Sequence, residues 1–146
     1  MLLFSGAYEH SVDDKGRTVI PARFRHKLGE SFVMTRGLHG CLWVFPQKTW
    51  TEVQQKLIPK SLLDSRGIKL ERYFLGAACE CVPDKQGRVA IPQMLMSHAD
   101  IRPGGTVWLV GLTDKLEVWS KERWDEFNAS LTDDAIAELG MEPEAP

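Results

Sequence analysis

Apolar and polar residues alternate in short runs along the chain, and most of these runs end at Gly, Pro or Asp. The segments "AYEHSV" and "RTVI" flank the turn "DDKG", and "SFVMTRG" and "CLWVFP" follow as a second pair. Short alternating runs rich in β-branched and aromatic side chains, bounded by turn residues, predict strands. The first half of the chain is therefore expected to hold two strand pairs, with a short helix between them and a longer helix after them.

The same order of elements occurs twice. "SVDDKGRTVIPARFR" at 11–25 is repeated as "VPDKQGRVAIPQMLM" at 82–96 with a constant offset of 71, and the hairpin that follows is repeated with an offset of 74. The extra residues of the second copy fall in "ADIRPGGT", where a turn tolerates an insertion. Each copy predicts a strand, a tight Asp-x-x-Gly loop, a second strand, a short helix whose first residue is Pro21 or Pro92, a hairpin, and a closing helix.

One copy alone would expose an apolar sheet face and unpaired strand edges. The two copies are therefore expected to cover each other in one α+β unit with pseudo-two-fold symmetry. The predicted divisions are repeat 1, a helical connector, repeat 2, and an acidic C-terminal helix and tail, at residues 7–54, 55–77, 78–124 and 125–146.

Composition places the chain among ordinary globular proteins and excludes several classes. Of 146 residues, 43% are hydrophobic and 26% are charged, and no apolar run is long enough to suggest a membrane span. The N-terminus "MLLFSGAYEH" lacks the basic and apolar regions of a secretion signal, so a cytoplasmic location is expected. The sequence predicts no membrane partner.

The reactive residues give no starting point for catalysis. Three cysteines, two of them in a C-x-C pair, fit neither a disulfide framework nor a C-x-x-C zinc site, and the four histidines are scattered. No zinc-protease, nucleophile-elbow or Walker motif is present. We therefore expect reduced cysteines, no catalytic residue, no metal, no cofactor and no small-molecule substrate.

The repeated Asp-x-x-Gly-Arg phrase indicates a loop that presents an arginine. An Asp carboxylate can accept backbone N–H bonds and Gly supplies a positive φ, so the predicted loop-forming residues are Asp13, Gly16, Asp84 and Gly87. Planar guanidinium groups can bind phosphate or the O6 and N7 atoms of guanine. With the neighbouring cations, the candidate DNA-binding residues are Lys15, Arg17, Arg23, Arg25, Lys85 and Arg88.

The two copies differ in their cations. The second copy has Met94 and Met96 where the first has Arg23 and Arg25, so its basic surface is expected to be thinner. Either the second loop contributes only Lys85 and its arginine, or the second copy mainly supplies structure and subunit contacts. Unequal sharing between the copies is the expectation.

The duplicated D-x-x-G-R and I-P pattern resembles the MraZ family over almost the whole chain. The resemblance implies a duplicated SpoVT/AbrB-like swapped-hairpin β-barrel with connecting and C-terminal helices. It further implies a regulator, expected to be a repressor, at the promoter of the division and cell-wall gene cluster. Such a protein would be nucleoid-associated, bind tandem direct repeats of double-stranded DNA as a ring-shaped homo-oligomer, and have no enzymatic activity.

The net charge of −2 argues against strong DNA binding by one subunit. All 18 Lys and Arg residues precede residue 125, whereas seven of the 20 acids lie at residues 125–146, so the first 124 residues carry +5. A ring could combine several weak contacts through effective concentration. The alternative hypothesis is a protein-interaction module built on a duplicated β-barrel. The sequence leaves open the subunit number, the operator bases, repression versus activation, and the share of repeat 2 in DNA contact.

Overall fold

The computed structural model describes residues 3–141 of the chain, which form eight strands and six helices. The strands are β1 (Phe4–Ser11), β2 (Arg17–Val19), β3 (Phe32–Arg36), β4 (Leu42–Pro46), β5 (Cys79–Cys81), β6 (Arg88–Ala90), β7 (Thr106–Thr113) and β8 (Lys115–Ser120). The helices are α1 (Ala22–Leu28), α2 (Gln47–Lys56), α3 (Ser65–Phe74), α4 (Gln93–Ala99), α5 (Lys121–Ser130) and α6 (Asp133–Gly140). The predicted α+β class is confirmed.

Strands from both repeats form one antiparallel sheet of order β1-β7-β8-β4-β3-β5. Strands β1, β4 and β3 come from the first half of the chain, and β7, β8 and β5 come from the second. The longest pairing joins β1 of the first half to β7 of the second, from Phe4 opposite Thr113 to Ser11 opposite Thr106. Strands β2 and β6 leave this sheet and pair with each other in a separate ribbon. In the described residues the main sheet is open, with β1 and β5 at its edges, so the predicted closed β-barrel is not confirmed.

A single main core forms between the sheet, the ribbon and the two short helices. Phe24 and Leu28 of α1, four residues apart, point to the same side and are buried, and Leu95 and Ala99 of α4 occupy the matching places. The helices start at proline, as predicted, but Pro21 and Pro92 precede the first helical residue as N-caps, with extended ψ angles of 140° and 148°. Each proline therefore lies two residues after the end of a strand and immediately before the helix that follows.

Helices α2, α3 and α5 pack against the main sheet, whereas α6 has no buried residue. The connector contains one helix, α3, whose N-cap Asp64 accepts a hydrogen bond from the backbone N–H of Gly67. Helices α5 and α6 have Ser120 and Thr132 as their N-caps, and the hydroxyls of these residues accept N–H bonds from the first turn. The end of the predicted acidic tail, residues 142–146, lies outside the described residues. Among the described helices, none has the length and apolar character needed to cross a membrane.

Candidate nucleic-acid interface

The ribbon of β2 and β6 carries one arginine from each repeat on the same face. Arg17 lies opposite Ala90, and Arg88 lies opposite Val19. Side chains alternate between the two faces of a strand. The middle pair, Thr18 and Val89, faces the core and is only 2% exposed, so the arginines face outward. Residues related diagonally across an antiparallel pair lie about 7–8 Å apart, within reach of long side chains. The fold thus places the two arginines side by side.

The first loop holds its arginine through an aspartate. Oδ1 of Asp13 accepts the backbone N–H groups of Lys15 at 3.0 Å and Arg17 at 2.8 Å, while Oδ2 accepts Nε–H of Arg17 at 2.8 Å. Gly16 closes the turn with φ of 75° and donates its N–H to the Asp13 carbonyl. One carboxylate therefore fixes both the backbone of the loop and the guanidinium of its arginine.

The second loop repeats this geometry. Asp84 accepts the N–H groups of Gln86 and Arg88 at 2.9 Å each, and Nε of Arg88 at 2.8 Å. The loops are also joined to each other, because Ile20 donates to the Gly87 carbonyl at 3.0 Å and Ile91 donates to the Gly16 carbonyl at 2.9 Å. These reciprocal bonds hold the two loops as one pseudo-symmetric unit.

Both arginine side chains remain accessible although each is bonded to a carboxylate. Each is 31% exposed, and the bond to its own aspartate uses the Nε–H. The guanidinium has five N–H donors, so both Nη atoms can serve a ligand. Nη1 of Arg88 also lies 3.9 Å from Oδ2 of Asp13, the oxygen that holds Arg17. Two guanidinium groups thus converge on one small area of the outer face.

Arg25 lies on the loop of the other repeat. By sequence order it belongs to the surface of the first repeat, yet its guanidinium packs over Gly87, where an added Cβ would be 2.6 Å from Nη1. Its counterpart Met96 packs over Gly16 in the same way, at 3.0 Å from Sδ. The expectation of a thinner basic surface at the second loop is therefore wrong, since the crossed helices bring an arginine to it and a methionine to the first loop.

The other candidate cations surround this area unequally. Arg23 is exposed on α1, donates to the hydroxyl of Tyr8 and lies 5.5 Å from the centre of that ring. Lys15 and Lys85 are exposed on the two loops. The sequence did not indicate that Tyr8 contacts Arg23, because Tyr8 lies fifteen residues before Arg23 and belongs to no motif. Nε of Arg25 is buried and has no hydrogen-bond partner among the described residues.

The pKa values of both loop aspartates are lowered from the usual 3.8, chiefly by the backbone N–H bonds from Arg17 and Arg88 respectively. Because the folded pKa lies below the unfolded one, ionised Asp13 and Asp84 stabilise the fold at neutral pH. This contribution is lost as the pH falls from about 4 through the lower folded pKa.

We expect the double variant Asp13→Asn, Asp84→Asn to lose less thermal stability than the parent as the pH falls, because the variant lacks the two carboxylates that become protonated. Melting curves between neutral pH and pH about 3 would measure it. An unchanged acid slope in the double variant would show that the two carboxylates do not contribute in this way.

Comparison with known proteins agrees with this duplicated arrangement. The family model described as "MraZ protein, putative antitoxin-like" matches the chain twice, over residues 3–69 and 74–139, and each match contains one of the two loops. The chain belongs to the MraZ family. The resemblance inferred from the D-x-x-G-R phrase is therefore confirmed.

Curated MraZ proteins match over most of their length. "Transcriptional regulator MraZ" of Desulforamulus reducens is 44% identical over 129 residues, which cover 87% of this chain and 88% of the relative. The protein of the same name from Limosilactobacillus fermentum is 44% identical over 132 residues, covering 90% and 91%. That of Caldanaerobacter subterraneus subsp. tengcongensis is 43% identical over 139 residues, covering 94% of each. The matches therefore cover most of this chain and most of each relative.

Proposed function

We propose that this chain is a transcriptional regulator that binds double-stranded DNA through the outer face of the β2–β6 ribbon. The observation that carries the proposal is the pair of outward guanidinium groups, each fixed by its own loop aspartate. The names of the relatives support the regulatory role. Arg17 and Arg88 would make the central contacts, and Arg23, Arg25, Lys15 and Lys85 would surround them.

The physical properties of this face suit DNA. The major groove of B-DNA admits a two-stranded β-ribbon, and arginine is the residue that most often reads guanine there. Because Nε of each arginine is already bonded to a carboxylate, less side-chain freedom is lost on binding than for a mobile arginine. The Nη atoms would contact phosphate or guanine O6 and N7.

Assembly forms a second part of the proposal. One subunit with a net charge of −2 and few exposed cations at the ribbon would bind weakly, whereas a ring of subunits on tandem direct repeats would gain affinity through effective concentration. The pairing of β2 with β6 across the repeats supports a duplicated SpoVT/AbrB-like swapped hairpin. Following the family resemblance, the regulator would act in the cytoplasm, at the nucleoid, as a repressor of the division and cell-wall gene cluster, without catalysis.

A protein-interaction module remains the second candidate, and one observation favours it. Leu62 and Leu63 in the connector before α3 are 93% and 91% exposed, and Ile58 nearby is 67% exposed. Apolar side chains this exposed are suited to contact with another protein. In this alternative the ribbon would have no DNA partner.

Footprinting of the purified protein on the DNA that precedes its own coding region separates the two candidates. Protection of short, regularly spaced direct repeats is the result expected for the regulator. Uniform or absent protection at concentrations where the protein is folded would favour the interaction module.

Matched glycine variants test the crossed arrangement of helices over the loops. Gly16→Ala and Gly87→Ala both place a side chain at positive φ, at a cost of about 1–2 kcal/mol in the free energy of unfolding. Only Gly87→Ala also pushes against the Arg25 guanidinium, whereas Gly16→Ala meets the flexible end of Met96. We expect similar losses of stability but a larger loss of DNA affinity for Gly87→Ala. Equal affinities for the two variants would contradict a role of Arg25 at the second loop.

A further inference from the structure

Two cysteines lie together on the edge strand β5, outside the ribbon face. Cys79 and Cys81 project to the same side of the strand, and their Sγ atoms are 3.8 Å apart. Cys79 is half-buried, Cys81 is 5% exposed, and Glu80 between them faces solvent. We propose that Cys79 and Cys81 form a hydroperoxide-sensitive dithiol that closes reversibly to a disulfide within the strand.

The spacing of the two residues permits this bond. Two steps along a strand separate Cα atoms by about 6.4–6.8 Å. That is the upper end of the range of about 4.4–6.8 Å for disulfides. Closure also requires the two Cβ atoms to approach to about 3.5–4.5 Å, so the strand must contract between the two cysteines. Strand β5 can contract more easily than an inner strand because it is an edge strand, paired over three residues with β3 alone.

The two thiols are chemically different, which assigns their roles. The hydrogen bond with Cys81 lowers the pKa of Cys79 to about 7, so much of Cys79 is thiolate at neutral pH. The pKa of Cys81 is raised by the same hydrogen bond and by burial, so Cys81 stays protonated. Cys79 is therefore the nucleophile, and Cys81 is the residue that resolves the product.

The reaction proceeds in two steps, formation of a sulfenic acid and then formation of the disulfide. The Cys79 thiolate attacks one oxygen of the hydroperoxide, the O–O bond breaks, and a sulfenic acid forms while the other oxygen leaves as hydroxide or alkoxide and takes up a proton. The sulfur of Cys81 then attacks the sulfenic sulfur, and the S–S bond forms as the S–OH oxygen leaves as water with the Cys81 proton. Two electrons pass from the two thiols to the peroxide, and a dithiol reductant returns them.

The disulfide would act on the second loop, an effect that rests on the proposed DNA-binding function. Cys81 ends β5, and Asp84, which holds Arg88, follows three residues later. Contraction of β5 would pull on Val82 and Pro83 and shift the Asp84 loop away from its position beside the first loop. Oxidation is therefore expected to weaken DNA binding.

Peroxide treatment of the full-length folded protein tests the bond without reference to DNA. After treatment, blocking of free thiols and mass spectrometry, we expect the parent to lose two hydrogens and to carry the Cys79–Cys81 disulfide. Cys41→Ala should behave like the parent, because Cys41 is buried and its pKa is raised. Cys81→Ser should stop at a sulfenic acid on Cys79 that a cyclic diketone traps. In Cys79→Ser, peroxide consumption should be slower by about tenfold or more.

Equal oxidation rates in the parent and Cys79→Ser would overturn the proposal, as would a parent that forms only intermolecular disulfides. DNA affinity is measured separately on the reduced and oxidised parent, with an expected fall of about tenfold that dithiothreitol reverses and that Cys79→Ser lacks. If the reduced parent binds no DNA, the proposed function fails while mass spectrometry still decides the disulfide. If the oxidised parent binds as tightly as the reduced one, the link to the second loop is wrong.

Discussion

Replacement of both Arg17 and Arg88 by alanine is expected to lower affinity for the upstream DNA at least about 30-fold, since each bidentate arginine contributes about 1–3 kcal/mol. A ring would repeat this loss in every subunit that contacts DNA. The fold should persist, because Asp13 and Asp84 still accept the backbone N–H bonds that close the loops. Binding would be measured by fluorescence anisotropy, and folding by circular dichroism and thermal melting.

Two further variants serve as controls for the location and the chemistry of the DNA contacts. Arg66→Ala removes an exposed arginine of α3, outside the ribbon, and should leave affinity nearly unchanged. Substitution of lysine at both loop positions keeps the charge but removes the planar donor fork, so it should recover only part of the affinity. If the double alanine variant folds and binds like the parent while Arg66→Ala weakens binding, the DNA surface is on the connector helix and the ribbon assignment is wrong.

Gly111→Ala is expected to lower the free energy of unfolding by about 3 kcal/mol, the upper end of the usual cost of overpacking. Gly111 lies in β7 between β1 and β8. An added Cβ would be 2.4 Å from the backbone nitrogen of Ser5 and 2.7 Å from the carbonyl carbon of Phe4. These are backbone atoms, so no rotamer change relieves the overlap, and β1 must move away from β7.

Gly140→Ala is the matched control for this prediction. Among the described residues, and apart from its chain neighbours and the backbone of its own helix, no atom lies within 4 Å of a Cβ added at Gly140, which ends α6. Alanine also favours helix. Its stability should stay within about 0.5 kcal/mol of the parent or rise slightly. Denaturation at one fixed protein concentration would compare the three proteins, because the proposed subunit association would also contribute to stability. Equal stabilities of Gly111→Ala and the parent would mean that β1 and β7 are not packed as described.

Local signals in the sequence were sufficient for the order of elements and for the loops. The period-two runs predict the strands, and the prolines at 21 and 92 predict where the short helices start to within one residue. Asp13 and Gly16 act within one turn, so their spacing alone indicates hydrogen bonds between neighbours in sequence. The duplication indicates that two such loops exist.

Contacts between the repeats could not be predicted in the same way. Periodicity states which residues of a strand share a face, but it does not state which strand is the partner, and β2 pairs with β6 across about seventy residues. The position of Arg25 over Gly87 depends on this crossing, so a count of cations within each repeat assigned it to the wrong loop. The open sheet likewise follows from β2 and β6 leaving the main sheet to pair with each other.

The salt dependence of DNA affinity tests the central claim most directly, because each cation that neutralises a phosphate adds about 0.9 to the slope of log affinity against log salt. The parent is expected to show a steep linear fall, and Arg17→Ala a slope smaller by about 1 with weaker binding at every salt concentration. A folded Arg17→Ala protein with the slope and affinity of the parent would contradict the claim that the ribbon arginines contact DNA.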